Sequence, residues 1–163
     1  MVRAISISDA QQVCDIYNYY IQNSTATFET EVISVNEMRL RIERISSLYP
    51  WLVFEETGDI QGYAYASKWR RRAAYNHSVE STVYLKHGQS GKGIGTKLYS
   101  ELIDELIKQG LHVIIGGISL PNEASIALHE KFGFEKAAHY KEVGNKFDQW
   151  VDVGYWELII TQT

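Results

Sequence analysis

A single cysteine, Cys14, stands in the 163-residue chain. One thiol excludes an intrachain disulfide and any cysteine cluster that could hold zinc. It lies in an apolar-periodic stretch and reads as a small core residue. Prolines are nearly as scarce; Pro50 and Pro121 are each expected to mark an element boundary. No apolar run is long enough to span a membrane. The N-terminal Met-Val-Arg-Ala-Ile lacks the order of a signal peptide, so a reducing cytoplasm is the expected location. Positive charge is also in short supply: Lys plus Arg is 16 against 20 for Asp plus Glu, a net charge of -4. That balance argues against a general nucleic-acid partner, and the one basic run, Lys68 to Arg72, is too short to reverse it. Repeats, linkers and low-complexity stretches are absent, so 1–163 is expected to be one domain.

What is present is a regular alternation of strand and helix patterns. Val2 to Ile7 reads as a strand, and Ser8 with Gln11 as a capping box. The helix that follows places Val13, Ile16, Tyr17, Tyr20 and Ile21 on one face. Ser34 with Glu37 opens a second helix toward Leu48. Trp51–Glu55 and Ile60–Ser67 form a hairpin across Thr57-Gly58-Asp59, and His77–Leu85 is a further strand. A helix over Thr96–Gln109 turns Leu98, Leu102, Leu106 and Ile107 inward and ends at Gly110. His112–Ile118 is a continuous apolar run, as in a strand buried on both faces. Asn122 caps a helix ending near Gly133, and Phe134 onward and Trp150–Ile160 supply the last strands. The order β-α-α-β-β-β-α-β-α-β-β implies an α/β fold, one mixed sheet with helices on both faces.

The turn from His87 to Thr96 carries glycines at 88, 91, 93 and 95. Without Cβ obstruction, backbone N–H groups can converge there, and the following helix adds its partial positive end. Together they form a cradle for phosphate or pyrophosphate. A P-loop needs a longer run before its Gly-Lys pair than Gly88 to Gly91-Lys92 provides. A dinucleotide fingerprint belongs in the first βα unit, with an acidic residue about 20 positions on, and Gly-x-Gly-x-Gly is a different pattern. A turn that holds no ligand is the remaining alternative.

Gly91-Lys92-Gly93-Ile94-Gly95 ahead of an amphipathic helix resembles the coenzyme A pyrophosphate loop of the GCN5-related N-acetyltransferases. Leu120-Pro121-Asn122-Glu123-Ala124-Ser125, continuing to Leu128-His129-Glu130-Lys131-Phe132-Gly133-Phe134, is similar to the second signature helix of that superfamily. Tyr49–Val53, Val79–Tyr84 and Gly144–Gly154 resemble its phosphinothricin and methionine sulfone or sulfoximine acetyltransferase branch. The likeness runs from Ile5 to about Leu158. Ser90 departs from it, standing where the superfamily usually has Arg or Gln, with Gln89 one place earlier as a substitute. His129 stands where most of the superfamily has tyrosine, though this branch also has histidine there.

The resemblance implies a metal-free transfer of acetyl from acetyl-coenzyme A to the α-amine of a small amino-acid analogue, by direct attack on the thioester in a homodimer. No membrane partner is expected, since no apolar run is long enough to span one. A peptide or protein N-acetyltransferase and a non-catalytic coenzyme A sensor are the alternatives. The chemistry needs a neutral amine, a stabilised carbonyl oxygen and a thiolate that can leave. Glu80 is the candidate base; strand alternation alone does not assign its face. His129 is either an acid for the thiolate or a structural histidine. The cofactor is expected against Val83, Tyr84 and Leu85, against Gly91, Lys92, Gly93, Ile94, Gly95 and Thr96, and against Asn122 and Lys131; Asn122 also reads as a plain cap. On the acceptor side the resemblance implies Phe28, Glu80, Ser81, Thr82 and one or more of Arg70, Arg71 and Arg72. An arginine would grip an oxyanion through paired donors. Lys146, Phe147 and Trp150 resemble further pocket wall, although Phe28 and Trp150 also fit as core aromatics.

Overall fold

Apolar residues fall on alternate sides of the strands, and each side receives helices. The structure is a computed structural model and describes residues 1–161, so Gln162 and Thr163 of the expected unit lie outside the described residues. The elements are β1 (Val2–Ala4), α1 (Ala10–Asn23), α2 (Val35–Ser46), β2 (Trp51–Glu56), β3 (Asp59–Lys68) and β4 (Ser78–Leu85). They continue as α3 (Ile94–Lys108), β5 (Val113–Leu120), α4 (Glu123–Lys131), β6 (Glu135–Lys146) and β7 (Gln149–Ile159). This is the expected order.

One seven-stranded sheet runs β1-β2-β3-β4-β5-β7-β6. Neighbours are antiparallel except β4 and β5, which are parallel. That parallel pair is short, Ser78–Glu80 against Val113–Ile115. β4 continues to Leu85 and β5 to Leu120 without pairing each other, so the strands part just beyond Glu80 and a cleft opens between them.

In β2, Leu52 and Phe54 face α3 while Trp51 and Val53 face α1 and α2, which is why the strand's first four residues are all buried. Leu98, Leu102 and Leu106 of α3 pack with Ala64, Val79 and Ile114 on one side. Val13, Cys14 and Ile21 of α1 join Met38 and Ile42 of α2 on the other. Each fully buried aliphatic side chain contributes roughly 1.5–3 kcal/mol.

Four sequence expectations are corrected. The capping box is Ser6 with Asp9, opening a 3-10 turn over Ile7–Asp9 ahead of α1, because the strand stops at Ala4 and Arg3 draws Asp9 inward at 2.8 Å. α3 starts at Ile94, since Gly93 in the left-handed region already caps it. Ile107 is 45% exposed, and Ile103 takes the inner position in its place. β5 is closed on one face only: Ile114, Gly116 and Ile118 are buried, whereas Gly117 is exposed toward the cleft side.

Candidate active site

The cleft between the parted strands is a cavity of about 680 Å³. That is an ordinary size for a small-molecule site, roughly 300–1,000 Å³. Its far wall is the glycine turn. Gly91 and Gly93 have φ of 78° and 77°, a region open to glycine at little cost. No side chain among the described residues caps α3, so its first N–H groups face the cleft with their partial positive charge. Of the expected cofactor residues, Gly91, Gly93, Ile94, Gly95, Thr96, Asn122 and Lys131 line the cavity, together with Val83, Tyr84 and Leu85. Lys92 does not line it; its ammonium donates to Gln89 Oε1 at 2.8 Å in solvent. That contact also occupies Gln89, and Ser90 itself faces the cavity. Asn122 caps α4, its Oδ1 accepting from the Ser125 N–H at 3.1 Å. Both readings of Asn122 therefore coexist, as a cap that also lines the cleft.

On the β4 edge, successive side chains take opposite sides. Ser81 faces α3, where its hydroxyl lies 2.8 Å from the buried Tyr99 hydroxyl. Tyr99 is 2.7 Å from His129 Nε2, and His129 Nδ1 is 2.7 Å from the Ser125 carbonyl. A carbonyl only accepts, so Nδ1 carries the proton and Nε2 accepts from Tyr99. Tyr99 in turn accepts from Ser81. Burial lowers the His129 pKa, with the Ser125 bond opposing. His129 is thus neutral, with both nitrogens engaged, and lies directly over Gly116, where a Cβ would meet Nε2 at 2.4 Å. That geometry is ill suited to an acid and well suited to orienting Tyr99.

Glu80 takes the opposite side. It pairs with Ser67 on β3 and Ile115 on β5, at the last rung before the strands part. No hydrogen-bond donor reaches its carboxylate among the described residues. Burial raises its pKa, and the Arg70 charge pulls it partly back. A Cβ on Gly117 would sit 3.4 Å from Glu80 Oε1 and 3.1 Å from the Tyr155 ring, so glycine there keeps space open beside the carboxylate. Tyr155 meets Trp69 edge-on at 5.6 Å, and the Arg70 guanidinium lies 4.0 Å over Trp69.

Arg70, Arg71 and Arg72 are all exposed and outside the cavity lining, but Arg70 is the one whose charge is felt at Glu80. Arg71 and Arg72 lie on the solvent side, leading into a short 3-10 turn. Thr82 lines the cleft; Phe28 is 41% exposed and does not. The Phe28 ring instead packs on Gly144, whose absent Cβ would overlap it. Trp150 is 67% exposed, so it is not a core aromatic. The sequence pattern placed Tyr20 only on the apolar face of α1 and passed over Tyr99 and the pair Gly116-Gly117. Two consecutive glycines inside a strand are themselves a sign of close approach on both faces. Tyr20 donates to the Leu85 carbonyl at 2.5 Å beside the cleft.

The glycine turn faces an unpaired carboxylate across a split between parallel strands, and the chain belongs to the acetyltransferase (GNAT) domain family, whose model matches residues 2–154. Among its relatives, a phosphinothricin N-acetyltransferase of Streptomyces viridochromogenes is 40% identical over 156 residues, 96% of this chain and 85% of the relative. An L-methionine sulfoximine/L-methionine sulfone acetyltransferase of Salmonella typhimurium is 35% identical over 158 residues, 96% and 92% of the two chains. The crystal structure of a phosphinothricin acetyltransferase from Sinorhizobium meliloti, in complex with AcCoA, superposes with a TM-score of 0.95 at 36% identity. It covers 98% of this chain and 88% of that one.

Proposed function

We propose that the chain transfers acetyl from acetyl-coenzyme A to the α-amine of a small amino-acid analogue of the phosphinothricin, methionine sulfoximine or methionine sulfone type. The observation that carries this reading is Glu80: a half-buried carboxylate without a hydrogen-bond donor, at the point where the cleft begins. A coenzyme A sensor has no use for such a group. An α-ammonium with a pKa near 8 is mostly protonated at neutral pH. Glu80, its pKa raised by burial, takes the proton directly or through a water. The neutral amine then attacks the thioester carbonyl, the carbon–sulfur bond breaks, and the nitrogen gives up its second proton, which passes through solvent to the departing thiolate, so that the products are the amide and coenzyme A thiol.

The N–H groups around Gly91–Thr96, with Lys131 at that end, would hold the pyrophosphate, and the free edge of β4 at Val83–Leu85 would take the pantetheine; all of these residues except Lys92 line the cleft. Ser81 and Tyr99, both in the cleft lining, would border the thioester, with His129 acting by holding Tyr99. Arg70 attracts the acceptor's oxyanion. No group of three or more His, Cys, Asp or Glu side chains among the described residues could hold a metal, and no step here calls for one.

A homodimer and a cytoplasmic location belong to the same proposal. Exposed Tyr140, Val143, Phe147 and Trp150 on β6, β7 and their turn offer apolar area for a second subunit. No helix among the described residues is long and apolar enough to cross a membrane. The test is thiol release from acetyl-coenzyme A with a panel of free amino-acid analogues and short peptides. Release with methionine sulfone or phosphinothricin and not with peptides supports the proposal; release with peptides alone moves the chain to the peptide-acetylating alternative.

A further inference from the structure

Lys146 ends β6 next to a two-residue turn, Phe147-Asp148, in which both residues have left-handed backbone, the geometry of a tight and rigid hairpin. The residue is 3% exposed. A lysine that deep normally meets a carboxylate. None lies within ion-pair distance among the described residues. The ammonium instead donates to three backbone carbonyls, Ser24 at 2.6 Å, Thr27 at 2.8 Å and Tyr20 at 3.4 Å. Its three donors are thereby used. Burial lowers its pKa, and the Glu29 charge offsets part of that.

These carbonyls have a common address. Tyr20 is in the last turn of α1, and its carbonyl also accepts from the Ser24 N–H that caps the helix, at 3.0 Å. Ser24 and Thr27 belong to the segment that leaves it. Between them, the Ala26 carbonyl accepts from Tyr84 at 3.2 Å, and Thr25 meets Ser119 of β5 at 3.4 Å. Ala26 and Thr27 line the cleft. Farther on, Phe28 rests on Gly144, two residues before Lys146, and Glu29 is held by Arg41 at 2.7 Å and by Tyr17. None of the Lys146 partners belongs to the glycine turn or to α4.

We propose that Lys146 is a positioning residue for the acceptor: its ammonium ties the hairpin to residues 24–27 and holds the cleft wall that the amine substrate meets, leaving the pyrophosphate seat at the glycine turn untouched. This rests on the acetyl-transfer reading. The role of the wall differs from that of Glu80, since Lys146 touches no reacting atom and acts through the backbone it holds.

Lys146→Met keeps the stem and removes the donors. Expected with methionine sulfone is an acceptor KM raised about tenfold or more, since buried carbonyls lose their partners and the segment rearranges. The kcat should fall less, and acetyl-coenzyme A affinity by calorimetry should stay within about twofold of the parent. Amide hydrogen exchange at 24–29 should accelerate while α3 keeps its protection. Lys146→Arg, which retains a cation and several donors, should recover part of the KM. Unchanged KM with unchanged exchange at 24–29 overturns the proposal. So does a Lys146→Met chain that fails to fold, or that loses cofactor and acceptor affinity in step, since Lys146 would then serve the whole fold. The exchange measurement needs no turnover, so a parent inert toward every amine would defeat the acetyl-transfer reading separately.

Discussion

Glu80 is placed where its charge is unfavourable to the fold and useful to the reaction. Burial makes the folded chain hold that proton above the ordinary value of 4.5. Between 4.5 and the higher folded value, the folded state binds more protons than the unfolded one. Stability therefore falls as pH rises through that window and stays reduced above it. Glu80→Gln removes this penalty. Its melting temperature should exceed the parent's near neutral pH and match it near pH 4, about the carboxylate range. Scanning calorimetry at the two pH values checks this; identical melts at both would mean a solvated carboxylate with no raised pKa. His129 illustrates the opposite case. Sequence left acid and structural roles open, and the two hydrogen bonds to Ser125 and Tyr99 favour the structural one.

At the scale of elements, the glycine turn and α3 act as one unit. Gly93 caps α3 at φ 77°, and a Cβ there would meet no protein atom within 4 Å. Gly93→Val thus brings backbone strain of about 1–2 kcal/mol, and its larger effect falls on a phosphate approaching the N–H groups. Acetyl-coenzyme A affinity by calorimetry should drop by more than tenfold, with the fold retained; normal affinity would remove the phosphate seat. Along α3, Leu102→Ala should destabilise by about 2–5 kcal/mol, whereas Ile107→Ala should stay within about 0.5 kcal/mol. Urea unfolding distinguishes the two, and equal losses would contradict the helix orientation.

Ile107 also marks the limit of what a sequence pattern can tell. The 3.6 period placed most of the α3 face correctly, because Leu98, Leu102 and Leu106 repeat at intervals of four. It could not distinguish Ile103 from Ile107 at the edge of that stripe. Strand order, the hairpin and the phosphate turn were legible because turn residues and alternation are local. The cleft was not, since it depends on β4 and β5 separating after three paired rungs, and no local pattern encodes where a pairing stops. For the same reason β5 looked buried on both faces. Arg70 could not be separated from Arg71 and Arg72 until Trp69 gave it a surface to stack on.

For the whole molecule, two cores on opposite faces hold the sheet, with Trp156 of β7 in one of them, while Tyr140, Phe147 and Trp150 stay exposed at the β6–β7 turn end. A homodimer through this region is expected to sediment at twice the monomer mass, 37.4 kDa from 2 × 18.7 kDa, at micromolar concentration. A monomer under those conditions would count against it. The central claim is that acetyl transfer at the cleft depends on the Glu80 carboxylate. The most direct measurement is the pH dependence of acetyl transfer to methionine sulfone by the parent and by Glu80→Gln, with acetyl-coenzyme A saturating. The parent should reach a plateau at lower pH. Glu80→Gln should lose about 10²–10⁴-fold in turnover near neutral pH, bind acetyl-coenzyme A as the parent does, and climb with pH as the free amine becomes neutral in solution. Full turnover of Glu80→Gln at neutral pH would contradict the claim.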